Sequence, residues 1–200
     1  TVAASIGIAT SEEPARPWTD AAEVSLVATS GNSKNTNFAG SNKFVYAWSS
    51  AADLTVDTSA LRTETTTRAL TNPDGTVRVD EQTAVTAESY SAGAKYRRTI
   101  REGFLWYARA GWQRNRFAGI DNRSVAGGGL GYRFFKTDRH SLTSELGADY
   151  TKETRAGGVS SSYGGARAFL GYERALSATS KLTTELEVLE NLNDTEDLRA

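Results

Sequence analysis

A two-residue alternation of apolar and polar side chains constrains this chain more than any other feature of its sequence. Aromatic residues recur beside short turns on the apolar phase, whereas lysine, arginine, aspartate and glutamate fall on the other phase. Successive side chains of a β-strand point to opposite faces, so each such segment predicts a strand with one apolar and one charged face. The chain is therefore expected to fold into β-sheet.

The alternation defines nine segments, each longer than the roughly 5–6 residues of a typical globular strand. They span approximately residues 19–30, 35–48, 52–66, 82–98, 103–116, 122–135, 139–152, 162–174 and 180–190. Tight turns such as Ser49–Ala51 and Arg101–Glu102 alternate with looser connections such as Thr67–Glu81 and Glu153–Ser161. Long strands with short turns at one end and longer loops at the other are typical of bacterial outer-membrane barrels.

The amino-acid composition restricts the kinds of function that this chain can have. The net charge of −1 and the pI near 5.9 give no basic excess, so no nucleic-acid partner is expected. No run approaches the roughly 18 apolar residues of a transmembrane helix, but a barrel strand needs no such run. Cysteine is absent, which excludes disulfides, thiol catalysis and thiolate metal sites. Methionine is also absent, which favours an export signal removed before Thr1.

The predicted fold is all-β: an antiparallel up-and-down transmembrane β-barrel of about 10–12 strands when complete, with nine to ten in this sequence. Residues 1–17 are predicted to be a flexible N-terminal lead, and residues 18–200 to be the barrel domain, truncated at its C-terminus. Glu190–Ala200 are expected to form an outer loop and the start of a tenth strand. Because bacterial barrels have an even number of strands, nine cannot close one.

A soluble β-barrel or sandwich that binds a ligand stays open as the alternative. Its apolar face would form the core and its charged face would meet water. The glycines of the polar phase count against it, because glycine weakens a solvent-facing strand but makes room inside a narrow barrel. They are Gly93, Gly127, Gly129, Gly131, Gly147 and Gly171.

Aromatic residues at strand ends are expected to form girdles at the lipid headgroups, which is where tyrosine and tryptophan accumulate in membrane proteins. The predicted girdle consists of Tyr46, Trp48, Tyr96, Phe104, Trp106, Trp112, Tyr132, Phe134, Tyr150 and Tyr172. Trp112 and Tyr150 belong to the loop end and the others to the short-turn end.

The inward charges are the best candidates for function. They are Glu23, Asp57, Lys95, Arg97, Arg109, Arg133, Glu145, Asp149, Arg167, Glu173, Glu185 and Glu187. Charges in a narrow lumen must pair or stay hydrated. Salt-bridge ladders that fill the barrel, a water-filled passage with opposed charged walls, and a ligand pocket all remain possible from the sequence.

No catalytic residue, metal site or cofactor is predicted. The single histidine, His140, lies beside a turn, which is no position for a Ser–His pair. Glu145 and Asp149 are four residues apart on one face, roughly 13 Å along a strand, which is too far to share a proton. The acidic C-terminal end lacks the spacing of a calcium loop. The chain is therefore predicted not to be an enzyme.

The first hairpin carries a resemblance to a known family. Trp18 begins the run Trp-Thr-Asp-Ala-Ala-Glu-Val-Ser-Leu-Val-Ala-Thr-Ser-Gly-Asn-Ser-Lys-Asn-Thr, which ends at Thr36. It resembles the opening of a domain-of-unknown-function family labelled as salt-induced outer-membrane proteins. The resemblance would cover about Trp18 to Ala200, and it implies a β-barrel in the outer membrane of Gram-negative bacteria. It brings no catalytic residue and no substrate.

From these observations the chain is expected to be a non-enzymatic outer-membrane barrel with a charge-lined lumen. Its role would be structural, that of an adaptor, or modest solute passage. The expected partners are outer-membrane lipid and an envelope protein, the latter because Arg97, Arg98 and Arg101 cluster at the short-turn end with Arg133 and Arg139 nearby. Basic residues there would equally anchor the barrel among headgroups.

Overall fold

A computed structural model describes residues 2–7, 17–31, 33–71, 78–137, 139–177, 180–192 and 198–199, with the backbone alone for 2–7, 68–71, 78–80, 181 and 198–199. In this part of the chain one antiparallel sheet contains eleven strands, and each strand pairs with its neighbours in sequence. The strands are β1 (Val2–Gly7), β2 (Trp18–Thr29), β3 (Ser33–Ser49), β4 (Ala52–Thr71), β5 (Arg78–Arg101), β6 (Phe104–Asn115), β7 (Ile120–Lys136), β8 (His140–Arg155), β9 (Ser160–Ala175), β10 (Lys181–Asn191) and β11 (Leu198–Arg199).

The all-β, up-and-down architecture predicted from the alternation is confirmed. The nine predicted segments correspond to β2–β10. A short 3₁₀ turn, Arg116–Ala118, connects β6 to β7, with Gly119 in the left-handed conformation at its end. No helix in the described ranges has the length and apolar character needed to cross a membrane.

Two predictions about the ends of segments were wrong. Val2–Gly7, assigned to a flexible lead, pair with β2 from Glu23 to Ala28, because the edge of β2 offers unpaired backbone groups to a neighbouring strand. Residues 8–16 of that lead lie outside the described part. The predicted loop Thr67–Glu81 is mostly strand, since β4 continues to Thr71 and β5 begins at Arg78. Threonine and valine in that stretch favour strand conformation.

The sheet is strongly curled. Arg109 on β6 and Glu187 on β10 lie four strands apart, which is about 19 Å in a flat sheet and more than their two side chains can span. Their charged atoms are nevertheless 2.8 Å apart. Closure into a barrel is not detected in the described residues, but the curl gives the sheet a concave face of mostly odd-numbered residues and a convex face of mostly even-numbered ones.

The two ends of the sheet differ in the connections that they carry. The turn rim carries the connections β3–β4, β5–β6, β7–β8 and β9–β10, and the loop rim carries the others. Three β-bulges lie at the turn rim, between Ala47 and Ser49, between Thr99 and Arg101, and between Arg133 and Phe135. The last of them shifts the phase of β7, so that Phe135 pairs with Leu142 and is 42% exposed.

Candidate functional site: the ion-pair network of the concave face

Burial on the two faces is the reverse of that in a soluble sheet. On the concave face Glu145 is 1% exposed, Arg167 4% and Asp149 7%. On the convex face Leu130 is 63% exposed and Leu146 69%. Charged side chains thus fill the interior of the curl while leucines cover its outside.

Six of the buried or half-buried charges form a central network: Lys95, Arg109, Glu145, Asp149, Arg167 and Glu187. The Lys95 ammonium donates to both oxygens of Glu145 at 2.7 and 2.6 Å. Arg167 bridges Glu145 at 2.8 Å and Glu187 at 2.5 Å. Arg109 donates to Glu187 and, through two other guanidinium nitrogens, to both carboxylate oxygens of Asp149. Three cations and three carboxylates make the central network electrically neutral.

Two aromatic rings support the cations of the central network. The Lys95 nitrogen lies 5.0 Å from the centre of the Tyr107 ring and 4.9 Å from that of Phe169. The Arg167 guanidinium carbon lies 5.1 Å from both rings. Cations at this distance are attracted by the ring quadrupole, and more strongly where water is excluded. Tyr107 is 1% exposed and Leu105 2%, so the turn-rim side of the central network is dry.

Glycines on β7 and β8 make this packing possible. A side chain at Gly147 would overlap the Tyr107 hydroxyl, and one at Gly131 would lie 2.7 Å from Leu105 Cδ1. At Gly127 it would overlap the Asp149 carboxylate, and at Gly129 the backbone of β8. The large side chains of β6 and β8 therefore lie flat across a strip of glycine, which is the interior role that the glycine-rich polar phase suggests.

An aromatic band follows the turn rim. Ring contacts link Trp18 to Phe44, Tyr46 to Trp48, Trp48 to Tyr96 and Tyr96 to Trp106, with centroids 5.0–6.3 Å apart. A second run joins Phe104, Tyr132 and Phe134 at 4.8 and 5.1 Å. Seven of the ten predicted girdle residues thus lie in these two runs of ring contacts at one rim.

The remaining predicted girdle residues lie apart from these two runs. Tyr172 on β9 contacts His140 on the same rim. Trp112 and Tyr150 lie toward the loop rim, as predicted, with Tyr150 57% exposed and the Trp112 indole donating to Asn122 at 2.7 Å.

The family model described as "Protein of unknown function, DUF481" matches residues 22–200, which include the whole central network. The chain belongs to the DUF481 family. No protein of curated function matches it. The match confirms that the chain belongs to a domain-of-unknown-function family, as the first hairpin suggested.

Six of the twelve predicted inward charges lie outside the central network. Arg97 on β5 pairs with Asp53 on β4 at 3.0 Å. Glu23, Asp57 and Glu185 are exposed, whereas Arg133 and Glu173 are half-buried. Asp57 lies against the backbone of β5, where a side chain at Gly93 would come within 2.8 Å of its carboxylate.

Sequence reasoning missed several buried residues of this DUF481 chain. Glu153, 1% exposed, binds Arg123 and Arg155 at 2.6 Å each. It fell one residue beyond the predicted end of its strand, although its odd number continued the charged phase. Leu105 and Tyr107 were missed because they are apolar residues on the polar phase. Their signal was the glycines opposite them in register, Gly131 and Gly129.

The arrangement offers little for catalysis or metal binding. The His140 imidazole is half-buried at the turn rim, where its Nδ1 lies 3.0 Å from the Tyr172 hydroxyl. The carboxylates of the central network are all held by arginine or lysine. Within the ranges described above, no three metal-ligating side chains come together.

Proposed function

We propose that this chain is an outer-membrane β-barrel without catalytic activity, which serves the envelope as a structural element with modest solute passage. The observation that carries the proposal is the reversed burial of the two faces. A water-soluble sheet buries its leucines and exposes its charges. Here Leu146 is exposed and Glu145 is buried, which suits a sheet whose outside is covered by lipid tails.

The aromatic band supports the same proposal. Tyrosine and tryptophan have an apolar body and a polar tip, so they concentrate at the boundary between lipid tails and water. The ring contacts from Tyr46 to Trp106 follow one rim across four strands, as a boundary of constant depth would require. The leucines at positions 130, 146 and 170 lie within the strands, five or six residues from the turn-rim ends of β7, β8 and β9.

Barrel closure is part of the proposal. An open sheet edge exposes unpaired backbone groups, each of which costs several kcal/mol in hydrocarbon. The described sheet ends at β1 and β11, and its curl already brings β6 within reach of β10. A membrane environment would therefore require its edges to be paired.

Substitution of Leu146 by arginine tests the proposal. Leu146 lies near the middle of β8 on the convex face. In a bilayer we expect Leu146→Arg to lower the free energy of unfolding by about 2–4 kcal/mol, because the charge would sit at the membrane midplane. The matched control is Thr184→Arg, an exposed residue on the same face near the turn-rim end of β10, where about 0–1 kcal/mol is expected. The measurement is urea unfolding in vesicles.

The alternative, a soluble ligand-binding barrel, is favoured by one observation, a cavity of about 420 Å³ on the concave face. In a soluble protein with the burial described here, Leu146 would already be in water, so Leu146→Arg would leave stability unchanged. The protein would also stay monodisperse without detergent. Flotation of the purified chain with lipid vesicles, together with loss of stability in Leu146→Arg but not in Thr184→Arg, would exclude it.

A further inference from the structure

The concave face has two unlike halves. On β6, β8 and β9 its side chains are tightly packed: Leu105, Tyr107, Glu145 and Arg167 are all less than 5% exposed. On β2, β3 and β4 the same face is open, and Glu23, Ser41 and Ser59 are exposed although they occupy one row of paired residues in the middle of the sheet. The interior is therefore filled from one side only.

On β3 the open half is lined by small side chains and one charge, while β2 and β4 add the carboxylates Glu23, Asp53 and Asp57. On β3 the concave positions from 33 to 47 are serine, asparagine, alanine, valine and a single lysine, Lys43. Exposed residues occur at several levels of this wall, from Ala47 beside the turn rim through Lys43 and Ser41 to Leu61. Such a wall leaves space and offers hydrogen bonds along the direction of the strands.

The cavity of about 420 Å³ lies on the concave face against β5 and β6, and Asp57 is the residue of β2–β4 that lines it. Asp57, Ser91 and Gln113 line it on the loop-rim side, and Lys95, Arg109 and Glu187 of the central network line its other side. Gly93 and Gly111, which pair directly, keep the wall between them flat. The central network thus forms a polar surface beside a space large enough for a small molecule.

The charge balance of the central network indicates which solutes suit this space. Its three cations and three carboxylates already bind one another, so an incoming ion would have to displace an existing partner. A hydroxyl group can donate to a paired carboxylate or accept from a paired guanidinium without breaking the pair. Ionic solutes therefore gain little from the central network, whereas hydroxyl-rich solutes find many partners there.

We propose that small uncharged, hydroxyl-rich solutes cross the protein between the wall of β2–β4 and the central network. This inference rests on the proposed function, since it requires a closed barrel in a membrane. To the proposed function it adds the path that solutes take through the protein and the chemical class of those solutes. The packed cluster of Leu105, Tyr107, Glu145 and Arg167 on β6, β8 and β9 takes no part in passage, because these side chains are all less than 5% exposed.

Cysteine labelling locates the route, and the native chain contains no cysteine that would interfere. Ser41→Cys and Ser59→Cys are placed on the open wall. Thr143→Cys, at a position 9% exposed, is the matched control in the packed half. In vesicles, a water-soluble thiol reagent should modify the wall cysteines faster than this control by on the order of tenfold or more. Equal rates in the two groups would overturn the route.

Solute flux tests the solute class. Vesicles containing the protein should swell in an uncharged sugar such as arabinose, and labelling Ser59→Cys with a bulky thiol reagent should abolish the swelling. The unsubstituted chain treated with the same reagent is the control and should keep its flux. Flotation with vesicles checks insertion separately. A chain that floats but passes no sugar, or that keeps its flux after labelling at position 59, contradicts this inference and leaves the proposed function intact. A chain that does not float contradicts both.

Discussion

Substitution of Gly129 by alanine is expected to destabilise the protein by about 2–3 kcal/mol, the upper part of the range for overpacking an interior. The added methyl group would overlap the carbonyl oxygen of Leu146 and lie 2.5 Å from Cα of Gly147. Both atoms belong to the backbone of β8, so no side-chain rotation can relieve the clash. β7 and β8 would have to separate, which would also disturb the packing of the Tyr107 side chain against them.

Gly164→Ala provides the matched control. Gly164 also lies within a strand, and a side chain there would meet nothing within 4 Å. Its replacement should leave stability unchanged or raise it by a few tenths of a kcal/mol, because alanine restricts the unfolded chain. Urea unfolding followed by tryptophan fluorescence measures both variants. Equal stability of the two would show that β7 and β8 do not approach as closely as described.

Glu145→Gln is expected to have the largest effect of any single substitution, a loss of about 3–5 kcal/mol in the free energy of unfolding. Glu145 is 1% exposed and binds both Lys95 and Arg167. Glutamine keeps the shape but removes the negative charge. Arg167 would retain Glu187, whereas Lys95 would be left without its carboxylate partner beside the buried Arg167.

Two further variants separate this electrostatic explanation from a general loss of packing. Lys95→Gln combined with Glu145→Gln removes the uncompensated charge and should recover part of the lost stability. Glu64→Gln breaks an ion pair with Arg62 whose side chains are 39% and 46% exposed, and it should change stability by about 0–1 kcal/mol. If the double variant is no more stable than Glu145→Gln alone, the charge balance of the central network is not what stabilises it.

The order of the strands and the face on which each side chain lies were predictable because both depend on residues close together in the sequence. The period of two fixes which side chains share a face, and turn residues fix where strands end. The prediction failed at positions where the tertiary structure decides. β1 is a strand because β2 offers it a pairing edge, and most of the predicted loop Thr67–Glu81 is strand because β4 and β5 continue to pair with each other there.

The central network could be predicted only as a set of residues, not as a set of pairs. The sequence places Arg109 and Glu187 on the same face but separates them by 78 residues. Which carboxylate meets which cation depends on how tightly the sheet curls, and that depends on the close approach of β7 and β8 at their glycines. Tyr107 illustrates the same limit, since its burial follows from Gly129 on β7 and Gly147 on β8, the two strands that come after its own.

The charge pattern of the concave face has a consequence for how the protein is assembled. The hairpin of β5 and β6 contributes only the cations Lys95 and Arg109 to the central network, and their counter-charges arrive with β8 and β10. A hairpin entering hydrocarbon alone would carry these charges uncompensated, at a cost of several kcal/mol for each ion. For the membrane barrel proposed above, strand-by-strand insertion from the N-terminus is therefore disfavoured, and β5–β10 are expected to enter the bilayer together, after the whole segment has been synthesised and brought to the membrane.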